Sequence, residues 1–294
     1  MKRCRTMLFM PGNNPGMLTA AQSLGADWVI FDMEDAVPRS EKDAARILIR
    51  HALTYMKPQG VGVAVRINAL DTSFWQDDIA AAVRGGADAI LVPKTNSADY
   101  VREFMAALEA AEAAHCAGGA HTLVFALVES ALGIENAFAI ATAHKRLGGI
   151  LLGAEDLTAE LGARRTAGGD EILYARSRIV MACRAAGIRA LDTPFPFTAD
   201  LEALARDAAF AAQLGFDGKA VISPHHVVPV NAAFLPSPDQ INWAGRVVAI
   251  ARRAADEGKG VVSLDGMMID LPVIKRAERI LSLIDGPLED PHGH

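Results

Sequence analysis

Cysteine is scarce in this chain. Cys4, Cys116 and Cys183 are the only three among 294 residues, they lie far apart, and they show no metal-ligand spacing. An odd, sparse set argues against a disulfide framework and fits the reducing cytoplasm. Long hydrophobic runs are also missing. The basic start Met1-Lys2-Arg3-Cys4-Arg5 leads only into Met7 to Met10 before Pro11-Gly12 interrupts it, too short for a signal-peptide core or a membrane span. Nor is there a basic block: the formal net charge is −6, with acids and bases intermixed, so nucleic acid is not an expected partner. The first apolar run is followed by Pro11-Gly12-Asn13-Asn14-Pro15-Gly16 rather than GxGxxG, which removes the dinucleotide-binding reading of an open α/β sheet. A soluble cytoplasmic protein is expected.

Hydrophobic residues make up 51% of the chain and charged residues 22%, the balance of a globular protein long enough for one large core or two ordinary domains. Short β-like runs at 6–10, 27–32, 61–67, 88–93, 122–129, 149–153, 188–193 and 219–223 alternate with helically spaced stretches. Those stretches are 14–24, 40–56, 74–85, 97–115, 132–145, 171–186 and 199–214. Near-continuous apolar strands separated by helices indicate a parallel sheet covered on both faces. A phrase recurs at the strand entries, Leu24-Gly-Ala-Asp27, Gly85-Gly-Ala-Asp88 and Leu214-Gly-Phe-Asp217. In each, glycine ends a helix in a left-handed cap and a short turn begins the next strand. Eight βα units in about 225 residues predict an α/β chain with a (β/α)8 TIM barrel, which typically takes ~250. The barrel is expected over residues 1–235. A C-terminal helical extension is expected over 236–294, with helices at 238–257 and 271–284 on either side of a connecting segment.

Catalytic groups of such barrels gather at the C-terminal ends of the strands. Here those ends read Asp32-Met-Glu34-Asp35, Arg66-Ile-Asn68, Pro93-Lys94, Glu129-Ser130, Glu155-Asp156 and Asp192-Thr-Pro, whereas the strand interiors are mostly apolar. Glu129 and Asp156 follow successive strands, so their carboxylates are expected roughly 5 Å apart, the spacing of paired strands. Two acids that close repel unless a cation lies between them or one is protonated. An all-oxygen pair suits Mg2+, with Mn2+ as a substitute. A lone acid at a strand end is more commonly a turn or capping residue; the pairing is what raises these two. Arg66 reads either as a structural ion pair to Asp32 or Glu34 or as a guanidinium aimed at an anion. Lys94 is expected to bridge the same cluster. Asp32, Glu34 and Asp35 read either as metal ligands or as capping and ion-pair scaffolding, and the supporting role is the expected one. His225-His226 read as loop or substrate-periphery residues and Met267-Met268 as packing.

The chain resembles the HpcH/HpaI aldolase and citrate lyase family, which takes in citrate lyase β subunits and malyl-CoA, β-methylmalyl-CoA and citramalyl-CoA lyases. Carrying the resemblance are Arg5-Thr-Met-Leu-Phe-Met-Pro-Gly, Phe31-Asp-Met-Glu-Asp-Ala-Val with Lys42, Val65-Arg-Ile-Asn-Ala-Leu-Asp, Leu91-Val-Pro-Lys-Thr and Val128-Glu-Ser-Ala-Leu-Gly-Ile. Further on come Leu152-Gly-Ala-Glu-Asp-Leu, Ala190-Leu-Asp-Thr, Leu214-Gly-Phe-Asp-Gly-Lys and Gly260-Val-Val-Ser-Leu-Asp-Gly-Met-Met-Ile-Asp. The resemblance implies a magnesium-dependent carbon–carbon lyase working as a homotrimer or hexamer. Its substrate would be an acyl-CoA or acyl-carrier-protein thioester that yields a 2-oxo acid, and thioester hydrolysis is the alternative outcome. It implies that Glu129 and Asp156 hold the metal and that Arg66 stabilises an enolate. Gly153 and Ala154 would line the substrate beside Arg66 and Glu129. Asp270 would serve as the acid/base, completing a neighbouring subunit's site. Arg5, Pro11, Asn13, Asn14 and the Ser223-Pro-His turn are where the CoA arm is expected. Met267 departs from the lysine common in the family, which leaves the acyl carrier open.

Overall fold

A computed structural model describes residues 2–116, 122–256 and 262–284. The Gly260-Val261 start of the tail motif and residues 285–294 of the expected extension lie outside the described residues. Eight parallel strands close into a barrel in sequence order. They are β1 (Thr6–Pro11), β2 (Trp28–Asp32), β3 (Gly62–Arg66), β4 (Ala89–Val92), β5 (Leu123–Val128), β6 (Leu147–Leu152), β7 (Arg189–Asp192) and β8 (Gly218–Val221). The fold is the expected (β/α)8 barrel. Around it run α1 (Pro15–Ala20), α2 (Lys42–Met56), α3 (Trp75–Gly85), α4 (Ala98–His115), α5 (Ala131–Glu135), α6 (Ala137–Ala141), α7 (Ala154–Leu161), α8 (Leu173–Ala186), α9 (Leu201–Leu214) and α10 (Val227–Ala233). The expected helix over 132–145 is broken at Asn136, which ends α5 and begins α6. Helix α7 was not anticipated. It has only eight residues before Gly162 stops it in a left-handed cap, too few to show a clear period. Among the described residues, no helix is long and apolar enough to cross a membrane.

The chain divides into two compact units, Cys4–Ala232 and a second one drawn from Met1–Arg3 and Ala233–His294. In the first, every strand sends side chains into one buried cluster that includes Met7, Trp28, Ile30, Ala64, Leu91, Phe125, Leu127, Leu151, Leu191 and Ala220. Alternate residues of a strand face opposite ways. These positions therefore mark the lumen, and the intervening residues face the helices. A Cβ on Gly62 would fall 2.2 Å from the Trp28 ring, so glycine there makes room for the indole, which also meets Phe125 edge-on at 5.6 Å.

The recurring strand-entry phrase has a physical basis. Gly25, Gly86 and Gly215 take φ of 73°, 77° and 104°, where a side chain is strained. The aspartate two residues later turns its carboxylate to a backbone N–H at the start of the preceding strand. Asp27 accepts from Arg5 at 2.8 Å, Asp88 from Val63 at 2.9 Å and Asp217 from Ala190 at 2.9 Å. Each thereby satisfies a donor that the ladder leaves open at the N-terminal rim.

In the second unit, α11 (Pro238–Asp256) and α12 (Leu271–Ser282) share a core of Ala244, Val247, Leu264, Ile269 and Ala277. Between them β9 (Val262–Leu264) and β10 (Met267–Ile269) pair antiparallel, where the sequence reading had only a connecting segment. Asp265-Gly266, with φ of 51° and 80°, forms the two-residue turn that Asp-Gly favours. Met267 and Met268, read as packing residues, are instead exposed beside that turn.

A buried charge cluster ties the barrel wall to its helices. Asp192 and Lys219 are register partners on β7 and β8, each one residue from a lumen position, so both face outward. There Arg176 of α8 forks onto Asp192 at 3.0 and 2.9 Å and reaches Asp207 of α9 at 2.6 Å, while the Lys219 ammonium lies 2.5 Å from Asp192 and 2.6 Å from Asp207. Burial raises the Asp192 pKa, but the charges of Lys219 and Arg176 outweigh it and hold the carboxyl below its ordinary value. Removing one partner leaves an uncompensated buried charge, which costs roughly 3–5 kcal/mol. Lys219→Met is expected to destabilise the protein by about that much, measured as a lowered denaturant midpoint at unchanged slope.

Candidate active site

Parity decides which polar groups enter the lumen. Asp32, Arg66 and Glu129 each stand two residues beyond a lumen position, Ile30, Ala64 and Leu127, and so continue the inward face at the C-terminal rim. Arg66 lies over the Phe9 ring at 5.0 Å. Its Nε and Nη2 fork onto Asp32 at 2.7 and 2.5 Å. Asp32 also accepts the N–H groups of Glu34 at 2.8 Å and Ala36 at 3.1 Å, which curls the chain after β2 back over the rim. The Arg66 Nη1 edge faces Glu34 Oε2 at 2.9 Å, without hydrogen-bond alignment, and Asp35 at 3.4 Å. Burial alone would lower the Arg66 pKa, but Asp32 and then Glu34 and Asp35 raise it, so the guanidinium stays charged.

Glu129 follows β5 and is 7% exposed. Its Oε1 accepts the Lys94 backbone N–H at 2.7 Å. A Cβ on Gly153 would fall 2.6 Å from Glu129 Cβ and 2.9 Å from its Oε2, so the carboxylate fits only because residue 153 is glycine. Asp156 is not at a strand end, as the sequence reading had it. Strand β6 stops at Leu152, Gly153 precedes α7, and Asp156 stands in that helix's first turn. The two acids nevertheless converge on one group: the Lys94 ammonium donates to Asp156 Oδ2 and lies 3.6 Å from Glu129 Oε1. Lys94 is one of two non-glycine residues described with positive φ, at 52°. Such backbone strain concentrates at functional sites. Neighbouring Glu155 turns away, pairing with Arg165 at 3.0 Å.

Carboxylates outnumber cations here. Asp32, Glu34, Asp35, Glu129 and Asp156 face Arg66 and Lys94, with Lys42 behind them. Burial, and to a lesser extent Asp35 and Glu129, push Glu34 up to about 8 against the pull of Arg66. Burial and the Asp156 charge raise Glu129 against the pull of Lys94 and Arg66. An oxygen-only pair in a region short of positive charge fits a hard divalent cation, which needs only one or two carboxylates plus water and substrate oxygens. Among the described residues, no group of three or more His, Cys, Asp or Glu is arranged around a metal position.

The remaining expected residues divide. Pro11 ends β1 at this rim, Asn13 bonds to Glu41, and Asn14 caps α1 by accepting from Met17 at 3.1 Å. Arg5 is not among them. It precedes β1 at the opposite rim, with both its backbone and its guanidinium on Asp27, at 2.7 to 2.9 Å. Gly153 and Ala154 direct their N–H groups to Val128 O at 2.9 Å and Thr193 Oγ1 at 3.1 Å, so they shape the site rather than donate into it. Asp270 belongs to the second unit, where it caps α12 by accepting from Val273 at 3.2 Å. Two further contributors have no role assigned by the sequence. Thr193 anchors the start of α7, and the buried Lys42 amine holds the carbonyls of Met33 at 2.7 Å and Glu34 at 2.5 Å. Lys42 accompanies the Phe31 motif and Thr193 closes the Ala190-Leu-Asp-Thr motif, but neither pattern reveals the groups these side chains hold.

A closed parallel barrel with acids and an arginine on its C-terminal rim defines a (β/α)8 enzyme. Residues 5–224 match the HpcH/HpaI aldolase/citrate lyase family, and the chain belongs to it, an enzyme of the carbon–carbon lyase class. It is 43% identical over 279 residues to citrate lyase subunit beta of Leuconostoc mesenteroides, covering 95% of this chain and 92% of that protein. It is 35% identical over 278 residues to a (3S)-malyl-CoA thioesterase of Cereibacter sphaeroides, covering 95% and 93%. The solved structure of protein CitE from Mycobacterium tuberculosis in complex with magnesium, acetoacetate and coenzyme A superposes with a TM-score of 0.79 at 34% identity, covering 96% of this chain and 98% of that one.

Glu34 carries a pH signature. Its carboxyl moves from an ordinary 4.5 to about 8 on folding, so between those values the folded state binds more protons than the unfolded one. The stabilisation of the protonated form is complete below pH 4.5 and is lost as pH rises through about 8. In chelator-treated protein, Glu34→Gln is expected to flatten the decline of Tm across that window. Melting curves at stepped pH check this, and a slope equal to wild type would refute it.

Proposed function

We propose that this enzyme cleaves the carbon–carbon bond of a 3-hydroxy-dicarboxylyl-CoA thioester of the malyl-, methylmalyl- or citramalyl-CoA type, giving acetyl- or propionyl-CoA and a 2-oxo acid. The observation that carries this reading is the convergence of Glu129 and Asp156 on one cation position, in the same rim cluster as Arg66. Glu129 and Asp156 would hold Mg2+, or Mn2+ in its place. When bound, the ion supplies Lewis-acid polarisation of the substrate's α-oxygen. Arg66 stabilises the enolate oxygen that develops on the thioester. Its Nη1 edge is the one to do so, because Nε and Nη2 are committed to Asp32 and the Nη1 contacts are the loosest. Glu34 and Asp35 orient that edge, and Asp32 fixes the guanidinium plane. Asp270, supplied by the tail of a neighbouring subunit in a homotrimer or hexamer, delivers the proton that quenches the enolate. Pro11, Asn13 and Asn14 are proposed for the CoA arm, whereas Arg5 lies at the other rim, held by Asp27.

A second reading is the β subunit of a multi-enzyme citrate lyase, acting on a citryl thioester of an acyl carrier protein. The 43% identity to citrate lyase subunit beta favours it. The 35% identity to a malyl-CoA thioesterase supports hydrolysis as a third outcome on the same bound substrate. Assaying the purified chain alone on a panel of acyl-CoAs separates them. CoA cleavage without a carrier protein supports the first, dependence on the carrier supports the second, and release of the free hydroxy acid supports the third.

Glu129→Ala and Asp156→Ala are each expected to cut Mg2+-dependent turnover on the order of a thousandfold, the loss of several kcal/mol of charge stabilisation. The fold should persist by circular dichroism, and full activity in either variant removes the site. Asp270→Asn separates the two roles of that residue. Asparagine caps a helix as well as aspartate does, so Tm should hold while turnover falls by about 10²–10⁴; unchanged turnover confines Asp270 to capping.

A further inference from the structure

Lys94 presents two groups to the acid pair, and only one of them is fixed. Its backbone N–H donates to Glu129 Oε1 at 2.7 Å, and the next residue, Thr95, donates to Leu127 O at 3.0 Å, so the chain here is fastened to β5. Its ammonium lies between the two carboxylates, on Asp156 Oδ2 and 3.6 Å from Glu129 Oε1. That is the space a cation held by both acids would take, and two positive charges cannot share it. The side chain is free to leave, since Lys94 is 42% exposed and Asp156 44% exposed, on a flexible four-carbon stem. Three other cations of the barrel are held fast. Arg66 is forked onto Asp32, Lys42 is buried on two backbone carbonyls, and Lys219 is fully buried between Asp192 and Asp207. The backbone at Lys94 adopts a left-handed φ of 52° that glycine would take with less strain. A lysine held in that conformation places its amide on Glu129 and its amine between Glu129 and Asp156.

We propose that Lys94 is a resident counter-cation which a divalent metal must displace, so that this lysine sets the metal affinity of the site. In the metal-free protein its ammonium neutralises Glu129 and Asp156. On metal binding the ammonium swings to solvent, while the Lys94 amide continues to orient Glu129. The inference rests on the reading of Glu129 and Asp156 as the metal pair. An occupied site weakens apparent affinity by the fraction of time it is free. For an ammonium bound as Lys94 is, removing it should tighten binding roughly three- to tenfold.

The test uses the full-length, chelator-treated protein and Mg2+ alone. Calorimetric titration is expected to show Lys94→Met, and independently Lys94→Gln, binding Mg2+ about three- to tenfold more tightly than wild type. In wild-type protein, amine acylation followed by mass spectrometry is expected to show Mg2+ accelerating modification of Lys94 several-fold. Exposed Lys145 and buried Lys219 should not change. Both results are required, because tighter binding alone could come from removing a nearby charge. If wild type binds Mg2+ but the variants bind no more tightly, or Lys94 acylation ignores the ion, the proposal is overturned and the metal reading survives. If neither wild type nor variants bind Mg2+, the metal-pair reading falls and takes the proposal with it. The acylation arm needs no variant, so a folding defect in a substituted protein leaves it decisive.

Discussion

Closing eight parallel strands in register determines which side chains share one interior, and the rest of this molecule follows from that. Residues two apart face the same way, so the positions just beyond the apolar lumen also look inward, but at a rim where no strand continues above them. Asp32, Arg66 and Glu129 occupy those positions. Groups too polar for the middle of the barrel are thereby gathered at one end, partly shielded from water and close enough to alter one another's protonation. The same parity sends Asp192 and Lys219 outward, where they meet Arg176 and Asp207 and become a fastening between sheet and helices. One alternation along the strands separates the charges that hold the barrel together from those available for chemistry.

The two charge clusters obey different balances. Outside the lumen, two cations meet two acids with almost no exposure, and the cluster is closed. At the rim the carboxyl groups are held above their ordinary range, chiefly by burial, Glu34 up to about 8 and Glu129 in the same direction. The rim cations also differ in kind. Arg66 is locked by a fork to Asp32, suited to stabilising charge in a fixed direction, whereas the half-exposed Lys94 ammonium is held by its contacts with two acids.

The proposed reaction of this HpcH/HpaI aldolase/citrate lyase family member would use this division of labour. Carbon–carbon cleavage next to a thioester needs an electrophile on the oxygen of the departing keto acid and a fixed cationic donor where the enolate grows. The acid pair and Arg66 lie in one cluster, and both belong to the barrel. The proton carrier proposed from the tail is a separate element. Its aspartate has a sufficient structural occupation as a helix cap, so only turnover can reveal a second role.

Much of the architecture could be read from residue order. Apolar runs of strand length, alternation with helical spacing, and the repeated Gly-X-Asp turns point to eight βα units, because these patterns express local geometry that every copy of the unit must satisfy. Glu129, Arg66 and Asp32 could be singled out for the same reason, as polar residues directly following apolar strands. What could not be read depended on packing between distant segments. The sequence cannot show that Asp156 stands one turn into a helix, that Gly153 is empty to admit Glu129, that Thr193 anchors that helix, or that Arg5 is held by Asp27 at the far rim. Nor does it show that one lysine answers both acids. Strand and turn identity are short-range properties set by φ, ψ and alternation, whereas the distance between side chains 35 or 62 residues apart exists only once the barrel has closed.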